Sequence, residues 1–287
     1  MSQGPNMVVC IKQVPDSAQI SVHPVTNTIM RQGVPTIINP YDLFALEAAL
    51  KLRDQLGGKV TVLTMGPPMA ASALRKALGH GADDAILLSD RFFAGADTLA
   101  TSYALTAAIN KIGAERPVDI VFTGKQTIDG DTAQVGPGIA RRMGLNQLTY
   151  VSAIPSIDLE AGEISVHRRA EGGVQVLKTK LPCLITMLEA TNELRRGSLP
   201  DVLRAERAEI KVWNAEAAGV EDLGKCGMKG SPTKVSKVFA PKPRAEKAKM
   251  ITAEDGAPAS VAAAAVETLL DADPRLLSVL TKQTTVA

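Results

Sequence analysis

The sequence has few aromatic residues and almost no net charge, and both shortages narrow the range of functions. Phe, Trp and Tyr make up 3% of the 287 residues, whereas hydrophobic residues together make up 45%. Such an aliphatic composition is typical of a parallel sheet covered by helices, because buried parallel strands are rich in Val, Ile and Leu. The formal net charge is only +2. A nearly neutral chain lacks the basic surface expected of a nucleic-acid-binding protein.

Cysteine and histidine are also scarce. The cysteines are Cys10, Cys183 and Cys226, and the histidines are His23, His80 and His167. A zinc site needs clustered Cys or His ligands, and these six residues are scattered without a CxxC pair. A disulfide framework is equally unexpected in so cysteine-poor a chain. We therefore expect no metal site and a cytoplasmic protein.

Long apolar runs are missing as well. The first residues, MSQGPNMVVCIKQV, lack the basic region and the apolar region of a secretory signal. No uninterrupted apolar run approaches the roughly 18 residues that a membrane-spanning helix needs. We expect a protein that does not itself cross a membrane.

Strand and helix patterns alternate over the first half of the chain. Buried strands are predicted at residues 8–14, 59–65, 85–88 and 118–122, and helices at 43–55, 69–78, 97–112 and 132–143. Residues 15–35 predict a small hairpin outside the main sheet, and Asn39 and Asp42 are competent N-caps for the first helix. This alternation indicates an α/β fold built of βαβ units around a parallel sheet.

The pattern changes after Gly144. Strands at residues 147–157, 163–169 and 174–180, joined by short turns, predict an antiparallel meander, and 181–187 predicts another core strand. A polar segment, 191–200, precedes a short helix at 201–208 and a strand containing Val212 and Trp213.

The composition shifts again near residue 215. Gly, Pro, Lys and Ala then dominate, and a helix is expected only at about residues 257–270. We divide the chain into an α/β domain, 1–214, and an extended C-terminal arm, 215–287. An arm of this composition buries little surface by itself, so we expect it to be disordered or to wrap around a partner.

The stretch most indicative of function is residues 117–143, PVDIVFTGKQTIDGDTAQVGPGIARRM. A buried strand leads into a polar loop and then a helix, the arrangement that binds ligands at the carboxyl edge of an open α/β sheet. Since a proline is tolerated only in the first turn of a helix, Pro137 predicts unpaired amides at about residues 132–136. Unpaired amides at the positive end of a helix attract an anion such as phosphate. The alternative is a helix capped by Asp131 or Thr132, with no ligand.

Familiar phosphate and nucleophile motifs are absent from the sequence. There is no GxGxxG after the first strand, no Walker A loop and no GxSxG elbow. The remaining candidates are strand ends at Cys10, residues 39–42, Met65-Gly66 and residues 124–135, which can meet at one edge of a parallel sheet. The first and fourth strands would then flank a topological switch point. Small side chains there leave room for a flat ring, so an adenine nucleotide or dinucleotide fits this set.

Four local motifs together carry a family resemblance. They are Lys12, Asn39-Pro40, Gly66-Pro67 and GKQTIDGDTAQVGP at residues 124–137. With them, the sequence from about residue 7 to 213 resembles the beta subunit of electron-transfer flavoproteins. The resemblance implies a Rossmann-like domain of the adenine nucleotide alpha hydrolase-like type. It also implies a heterodimer with an alpha subunit that carries a redox FAD.

The resemblance also implies which residues bind the beta subunit's own nucleotide. The matching positions are Cys10, Asn39, Pro40, Tyr41, Asp42, Met65, Gly124, Lys125, Gln126, Thr127, Ile128, Asp129, Gly130, Asp131, Thr132, Ala133, Gln134 and Val135. Residues 191–200 correspond to the family's partner-docking loop, with Leu199 as its apolar anchor. No side chain is expected to act as acid, base or nucleophile, because the flavin supplies the redox chemistry.

Two branches of the family differ in that nucleotide. In the housekeeping branch it is a structural AMP. In the electron-bifurcating branch, which includes nitrogen-fixation-linked Fix proteins, it is a second FAD that accepts electrons from NADH. One electron then passes toward a quinone oxidoreductase and the other to ferredoxin or flavodoxin. The glycine-rich loop at 129–137 and the long arm resemble the bifurcating branch, since Gly130 leaves space for a diphosphate and flavin.

Two readings from other classes remain as alternatives. A self-contained adenine-nucleotide-binding module of the stress-protein kind would need neither the meander nor the docking segment. An ATP-dependent ligase would need a phosphate loop that the sequence lacks.

Overall fold

The structure is a computed structural model that describes residues 4–16, 21–22, 29–30, 35–234, 248 and 250–282. Its strands are β1 (Asn6–Cys10), β2 (Gln13–Pro15), β3 (Ser21–Val22), β4 (Ile29–Met30), β5 (Thr36–Ile38), β6 (Lys59–Met65), β7 (Asp84–Leu88), β8 (Ile120–Gly124), β9 (Asn146–Asp158), β10 (Glu163–Ala170), β11 (Gly173–Lys180), β12 (Cys183–Met187) and β13 (Lys211–Trp213). Its α-helices are α1 (Pro40–Leu56), α2 (Ala71–Gly79), α3 (Thr98–Glu115), α4 (Val135–Met143), α5 (Leu199–Arg207), α6 (Pro258–Ala272) and α7 (Arg275–Lys282).

The main sheet has nine strands in the order β11-β10-β9-β12-β8-β1-β6-β7-β13. From β12 to β13 every neighbouring pair is parallel. Successive residues of β1 belong to two different hydrophobic cores: Met7 and Val9 to one, Val8 and Cys10 to the other. Because successive side chains of a strand point to opposite faces, both faces of the sheet are buried under helices. The predicted α/β fold with a parallel sheet is confirmed.

The strands that follow β1 lie on both sides of it. It proceeds first to β6 and β7 on one side of β1, and later to β8 and β12 on the other side. The strand order therefore reverses between β1 and β8, and the predicted switch point lies there. In open α/β sheets, ligands bind in the crevice that such a reversal leaves at the carboxyl ends of the strands.

The predicted meander is present, and its position in the sheet could not be read from the sequence. β9, β10 and β11 pair antiparallel in succession. β9 also pairs in parallel with β12, so the meander extends the main sheet instead of forming a separate layer.

The first predicted strand is interrupted in the structure. β1 ends at Cys10, and β2 begins at Gln13 and pairs antiparallel with β5 outside the main sheet. Within residues 15–35, the strands β3 and β4 pair antiparallel and form a small sheet of their own, outside the main sheet, as predicted. The first helix starts at Pro40, three residues before its predicted start, because a proline fits the first turn of a helix.

The boundary between the two compact units of the chain lies further toward the C-terminus than the change in composition near residue 215. The chain forms two compact units, Met1–Ala240 and Pro241–Ala287. Residues 215–234 belong to the first unit, where Ala218 and Cys226 join the second core. The Asp97 carboxylate accepts hydrogen bonds from the backbone N–H and hydroxyl of Thr233 at 3.1 and 2.8 Å. The composition change at residue 215 therefore falls inside this unit, and an arm that wraps a partner stays a prediction.

The second unit contains α6 and α7 among the described residues. α6 covers Pro258–Ala272, close to the helix predicted at 257–270. No helix in the described ranges is both long enough and apolar enough to span a bilayer.

Candidate functional site

The predicted strand ends meet at one edge of the main sheet. Cys10 and Gly124 are the last residues of β1 and β8, which pair with each other, and Met65 ends β6 on the other side of β1. α1 begins at Pro40 and Tyr41, and the loop of residues 125–134 leaves the same edge after Gly124. The structure thus brings the predicted site segments together.

Asp42 holds this edge together through its carboxylate. Its Oδ2 accepts a 2.7 Å hydrogen bond from the backbone N–H of Lys12, and its Oδ1 accepts a 3.1 Å bond from Gly124 N–H. The residue is 4% exposed. Asp42 therefore ties the first turn of α1 to the end of β8 and to the segment that follows β1. The sequence predicted this residue only as an N-cap and a nucleotide contact.

The buried carboxylate also affects its neighbour electrostatically. Burial raises the pKa of Asp42 to about 7, although the Asn39, Lys12 and Gly124 hydrogen bonds favour the charged form. Burial, together with the charge of Asp42, raises the pKa of the Cys10 thiol to about 12. Since the thiolate is the reactive form of cysteine, Cys10 is an inert packing residue at this edge.

Asn39 holds the loop after β8 rather than the helix that it precedes. It occupies the N-cap position of α1, yet its side chain makes no capping hydrogen bond. Its Nδ2 donates to Gln126 O at 2.8 Å, and its Oδ1 accepts from Ile128 N–H at 3.2 Å. Asn39 is therefore the N-cap residue, as predicted, but its side chain does not cap the helix, because the loop backbone takes up its amide group.

Gly124 is required by a close approach of α1. A Cβ added there would lie 2.6 Å from Tyr41 Cβ and 2.7 Å from the Tyr41 carbonyl carbon. Both distances are far shorter than a van der Waals contact, so any other residue would displace the first turn of α1. The glycine in the GKQ motif therefore has a local physical reason.

The loop is braced by its own side chains. Lys12 Nζ forms a 2.8 Å ion pair with Asp129, and Gln126 Nε2 donates to Asp131 Oδ1 at 2.8 Å. Thr127 O accepts hydrogen bonds from the N–H groups of Gly130 and Asp131 at 3.3 and 2.8 Å. Lys12 was noted only within the family resemblance. Its position two residues after Cys10, a predicted site residue, was the signal that could have added it to the site.

The α4 N-terminus presents unpaired backbone donors. Its N-cap is Gln134, which makes no side-chain capping bond, so the alternative of a helix capped by Asp131 or Thr132 was wrong. Within the described part of the chain, the N–H groups of residues 132–136 (Thr132, Ala133, Gln134, Val135 and Gly136) donate no hydrogen bond. Asp131 and Ala133 adopt left-handed backbone conformations, with φ of 51° and 55°.

The arrangement of these unpaired donors is suited to an anion. Left-handed residues next to a helix start turn successive N–H groups toward one concavity, and the helix dipole adds positive potential there. Such backbone conformations are uncommon for residues other than glycine and cluster at functional sites. A phosphate is the simplest group that satisfies several donors at once.

Lys125 places a positive charge at the same edge. Its backbone N–H donates to Met187 O at 2.9 Å, and its Nζ lies 5.2 Å from the ring centroid of Tyr41 and 5.7 Å from that of Tyr150. Cation–π contacts at these distances restrain the lysine side chain. Tyr150 has a φ of 60° within β9 and was not predicted as a site residue, because its approach depends on how the meander joins the sheet.

The free hydrogen-bonding groups at this edge belong to the backbone. Side chains are braced against backbone, the Cys10 thiol is protonated, and the unpaired donors are backbone amides. The described residues contain no group of three or more His, Cys, Asp or Glu side chains placed to hold a metal ion. Leu199 does not belong to this edge: it is the first residue of α5 and is 71% exposed.

Comparison with known proteins shows what the whole chain is similar to. The family described as "Electron transfer flavoprotein domain" matches residues 26–218. A protein named "Protein FixA" from Azorhizobium caulinodans is 72% identical over 255 residues, which cover 88% of this chain and 91% of the relative. "Protein FixA" from Azotobacter vinelandii is 65% identical and covers 96% of this chain and 98% of its own length. "Electron transfer flavoprotein subunit beta" from Clostridium acetobutylicum is 48% identical and covers 81% of this chain and 86% of its own.

Proposed function

Because this chain belongs to the electron transfer flavoprotein family, we propose that it is the beta subunit of a heterodimeric electron carrier. The alpha subunit is its partner, and a nucleotide bound by this chain lies at the carboxyl edge of β1 and β8. The near-full-length similarity to proteins named FixA supports a role in electron supply to nitrogen fixation.

The observation that carries the proposal is the group of unpaired amides at residues 132–136, beside a loop braced by Lys12 and Asn39. In this proposal the amides bind the phosphate groups of the nucleotide, and Lys12 and Lys125 offset their negative charge. Asp42 and Asn39 hold the two backbone segments in position. FAD, when bound, supplies the redox chemistry, and the protein supplies position and electrostatics.

We propose FAD rather than AMP on the basis of Gly130. Its φ lies outside the left-handed region, so the backbone itself does not require a glycine there. The residue is exposed, and an added Cβ would have a single near neighbour, Thr127 Oγ1, at 3.3 Å. What a glycine provides at this position is space beside the loop, which a dinucleotide needs and a mononucleotide does not.

FAD at this site would make the complex a bifurcating flavoprotein. NADH is then the electron donor, and a quinone oxidoreductase and ferredoxin or flavodoxin are the redox partners. Leu199 and the docking segment, which we define as residues 191–200, contact the external partner. The C-terminal arm wraps the alpha subunit.

A size series at Gly130 tests the site. Gly130→Phe should remove the nucleotide of this chain from the purified heterodimer while the flavin of the alpha subunit remains. Gly130→Ala is the matched control, because its single methyl group requires the Thr127 hydroxyl to shift by only a few tenths of an ångström. Both variants should keep the melting temperature of the nucleotide-free protein, since Gly130 is exposed.

Acid release and chromatography would report the nucleotides bound per heterodimer. An unchanged content in Gly130→Phe would refute the site. If Gly130→Ala and Gly130→Phe lose the same amount of bound nucleotide, the size of the side chain at residue 130 does not determine binding.

A further inference from the structure

The docking segment is attached to α1 by an ion pair that the nucleotide site does not use. Arg195 Nε donates to Glu47 Oε2 at 2.8 Å, and Arg195 Nη2 donates to Glu47 Oε1 at 3.1 Å. The backbone N–H of Arg195 also donates to Glu47 Oε2 at 3.2 Å. One residue of the segment thus contacts both carboxylate oxygens through its side chain and its backbone.

Without Arg195, Glu47 would be a buried charge on α1 with no ion-pair partner among the described residues. It is 4% exposed, and a carboxylate so deeply buried is stable only when it is paired and hydrogen-bonded. Arg195 provides that pairing, and its Nη1 extends the network to Asp54, in the last turn of α1, at 2.8 Å. The buried carboxylate therefore restricts where residue 195 can lie.

The same segment is held at further points. Asn192 Nδ2 donates to Phe44 O in α1 at 3.0 Å, and the Arg195 carbonyl oxygen lies 3.0 Å from His80 Nδ1, just after α2. Gly197 packs so closely on the backbone of Gly79 that an added Cβ would overlap the Gly79 carbonyl group. Residues 192–197 thus lie flat against α1 and α2, immediately before Leu199.

We infer that Arg195 is a positioning residue for the external partner, because its ion pair with Glu47 fixes the docking segment and thereby the place of Leu199. This inference rests on the proposed function, in which Leu199 contacts that partner. The first turn of α1 also holds the nucleotide-site loops through Asp42. A single helix therefore sets both the nucleotide site and the docking segment, so the separation of bound nucleotide and docked partner is fixed.

The most informative substitution is Glu47→Gln. It keeps the size of the side chain and an acceptor for Arg195 N–H, and it leaves behind a guanidinium that is already 27% exposed. Removing Arg195 instead would leave a buried carboxylate unpaired, which destabilises the fold itself. Glu115→Gln is the matched control, because it makes the same chemical change at an exposed position, the last residue of α3, outside both the docking segment and the nucleotide site.

Two activities measured on the heterodimer separate docking from flavin chemistry. One is electron transfer to a purified quinone oxidoreductase, and the other is reduction of a small tetrazolium dye, which needs no docking segment. If the segment is correctly placed a tenth of the time in Glu47→Gln, the apparent KM for the protein acceptor rises about tenfold. The kcat, the dye rate and the nucleotide content should stay the same, and Glu115→Gln should match the parent protein throughout.

Hydrogen exchange gives a readout that does not depend on activity. The amides of residues 191–200 should exchange faster in Glu47→Gln than in the parent protein, and at the parent rate in Glu115→Gln. If Glu47→Gln does not assemble, Arg195→Lys gives the same comparison, because lysine keeps the charge but cannot make the two-pronged contact.

Leu199→Ala, measured in parallel, distinguishes the docking role of the segment from the positioning role of Arg195. If Leu199→Ala leaves the KM for the protein acceptor unchanged, the docking role of the segment is wrong. If Leu199→Ala raises that KM and Glu47→Gln does not, the docking role holds and the positioning role of Arg195 is wrong. Loss of dye activity or of nucleotide in Glu47→Gln would also overturn the inference, since the ion pair would then support the fold as a whole.

Discussion

Replacing Asp42 by Asn tests how the switch-point edge is held together. The Asp42 carboxylate accepts one backbone N–H with each oxygen, from Lys12 and from Gly124. Asparagine offers one oxygen to the same two donors and turns its NH2 group toward the other. The substitution also removes a group that titrates in the physiological range, because burial raises the pKa of Asp42 to about 7.

The raised pKa determines the sign of the pH dependence. The ordinary pKa of the group is 3.8, so the folded protein binds the Asp42 proton more tightly than the unfolded chain between pH 3.8 and about 7. The stability that this proton contributes is complete below pH 3.8 and is lost as the pH rises through 7. Asparagine cannot titrate, so its variant lacks this dependence.

The slope follows from linkage. Between about pH 5 and 7 the free energy of unfolding of the parent protein, relative to Asp42→Asn, should rise by about 1.4 kcal/mol per unit decrease in pH. For a domain of this size that corresponds to a change of about 3–6 °C per pH unit in the difference between the two melting temperatures. Above pH 8 the difference should be constant.

Paired melting curves of the parent and variant heterodimers, recorded at half-unit steps from pH 5 to 8.5, measure this difference. Taking the difference at each pH cancels the titration of all other groups. A flat profile, or one in which the parent loses its relative stability as the pH falls, would refute the reasoning. The N–H donors of Lys12 and Gly124 would then outweigh burial and keep the carboxylate charged.

Three further substitutions test neighbouring parts of the account. Gly124→Ala should destabilise the protein by about 1–3 kcal/mol and reduce nucleotide retention, because its Cβ would displace Tyr41; urea unfolding that matches the parent would contradict this. Lys12→Ala should change stability by less than about 1 kcal/mol, because the lysine of the Asp129 pair is half-exposed, yet lower the affinity for the nucleotide; equal affinity by calorimetry would exclude it from the site. Leu199→Ala should slow electron transfer to a protein acceptor without altering flavin content, and unchanged transfer kinetics would refute the docking role.

Much of the fold could be predicted because the local spacing of apolar residues determines where strands and helices form. The buried strands around Val9 and Val121, the helices between them and the glycine-rich stops at Gly57 and Gly144 all leave a mark in short windows of sequence. The reversal of strand order between β1 and β8 followed from the general behaviour of such sheets, and the structure has it.

The contacts that define the site depend on residues far apart in the chain. Asn39 resembles a helix N-cap locally, and only the approach of the 126–128 backbone shows that its amide group is used elsewhere. Tyr150 reaches Lys125 because β9 pairs with β12, which the sequence of the meander does not reveal. The same holds for Glu47, whose partner is 148 positions away.

We propose that this chain binds an FAD in addition to that of the alpha subunit, and the nucleotide content of the purified heterodimer measures this. Acid release followed by chromatography and quantification separates FAD from AMP. We expect two FAD per heterodimer and no AMP, with one FAD lost in Gly130→Phe. One FAD together with one AMP would contradict it and leave this chain as part of a simple electron shuttle.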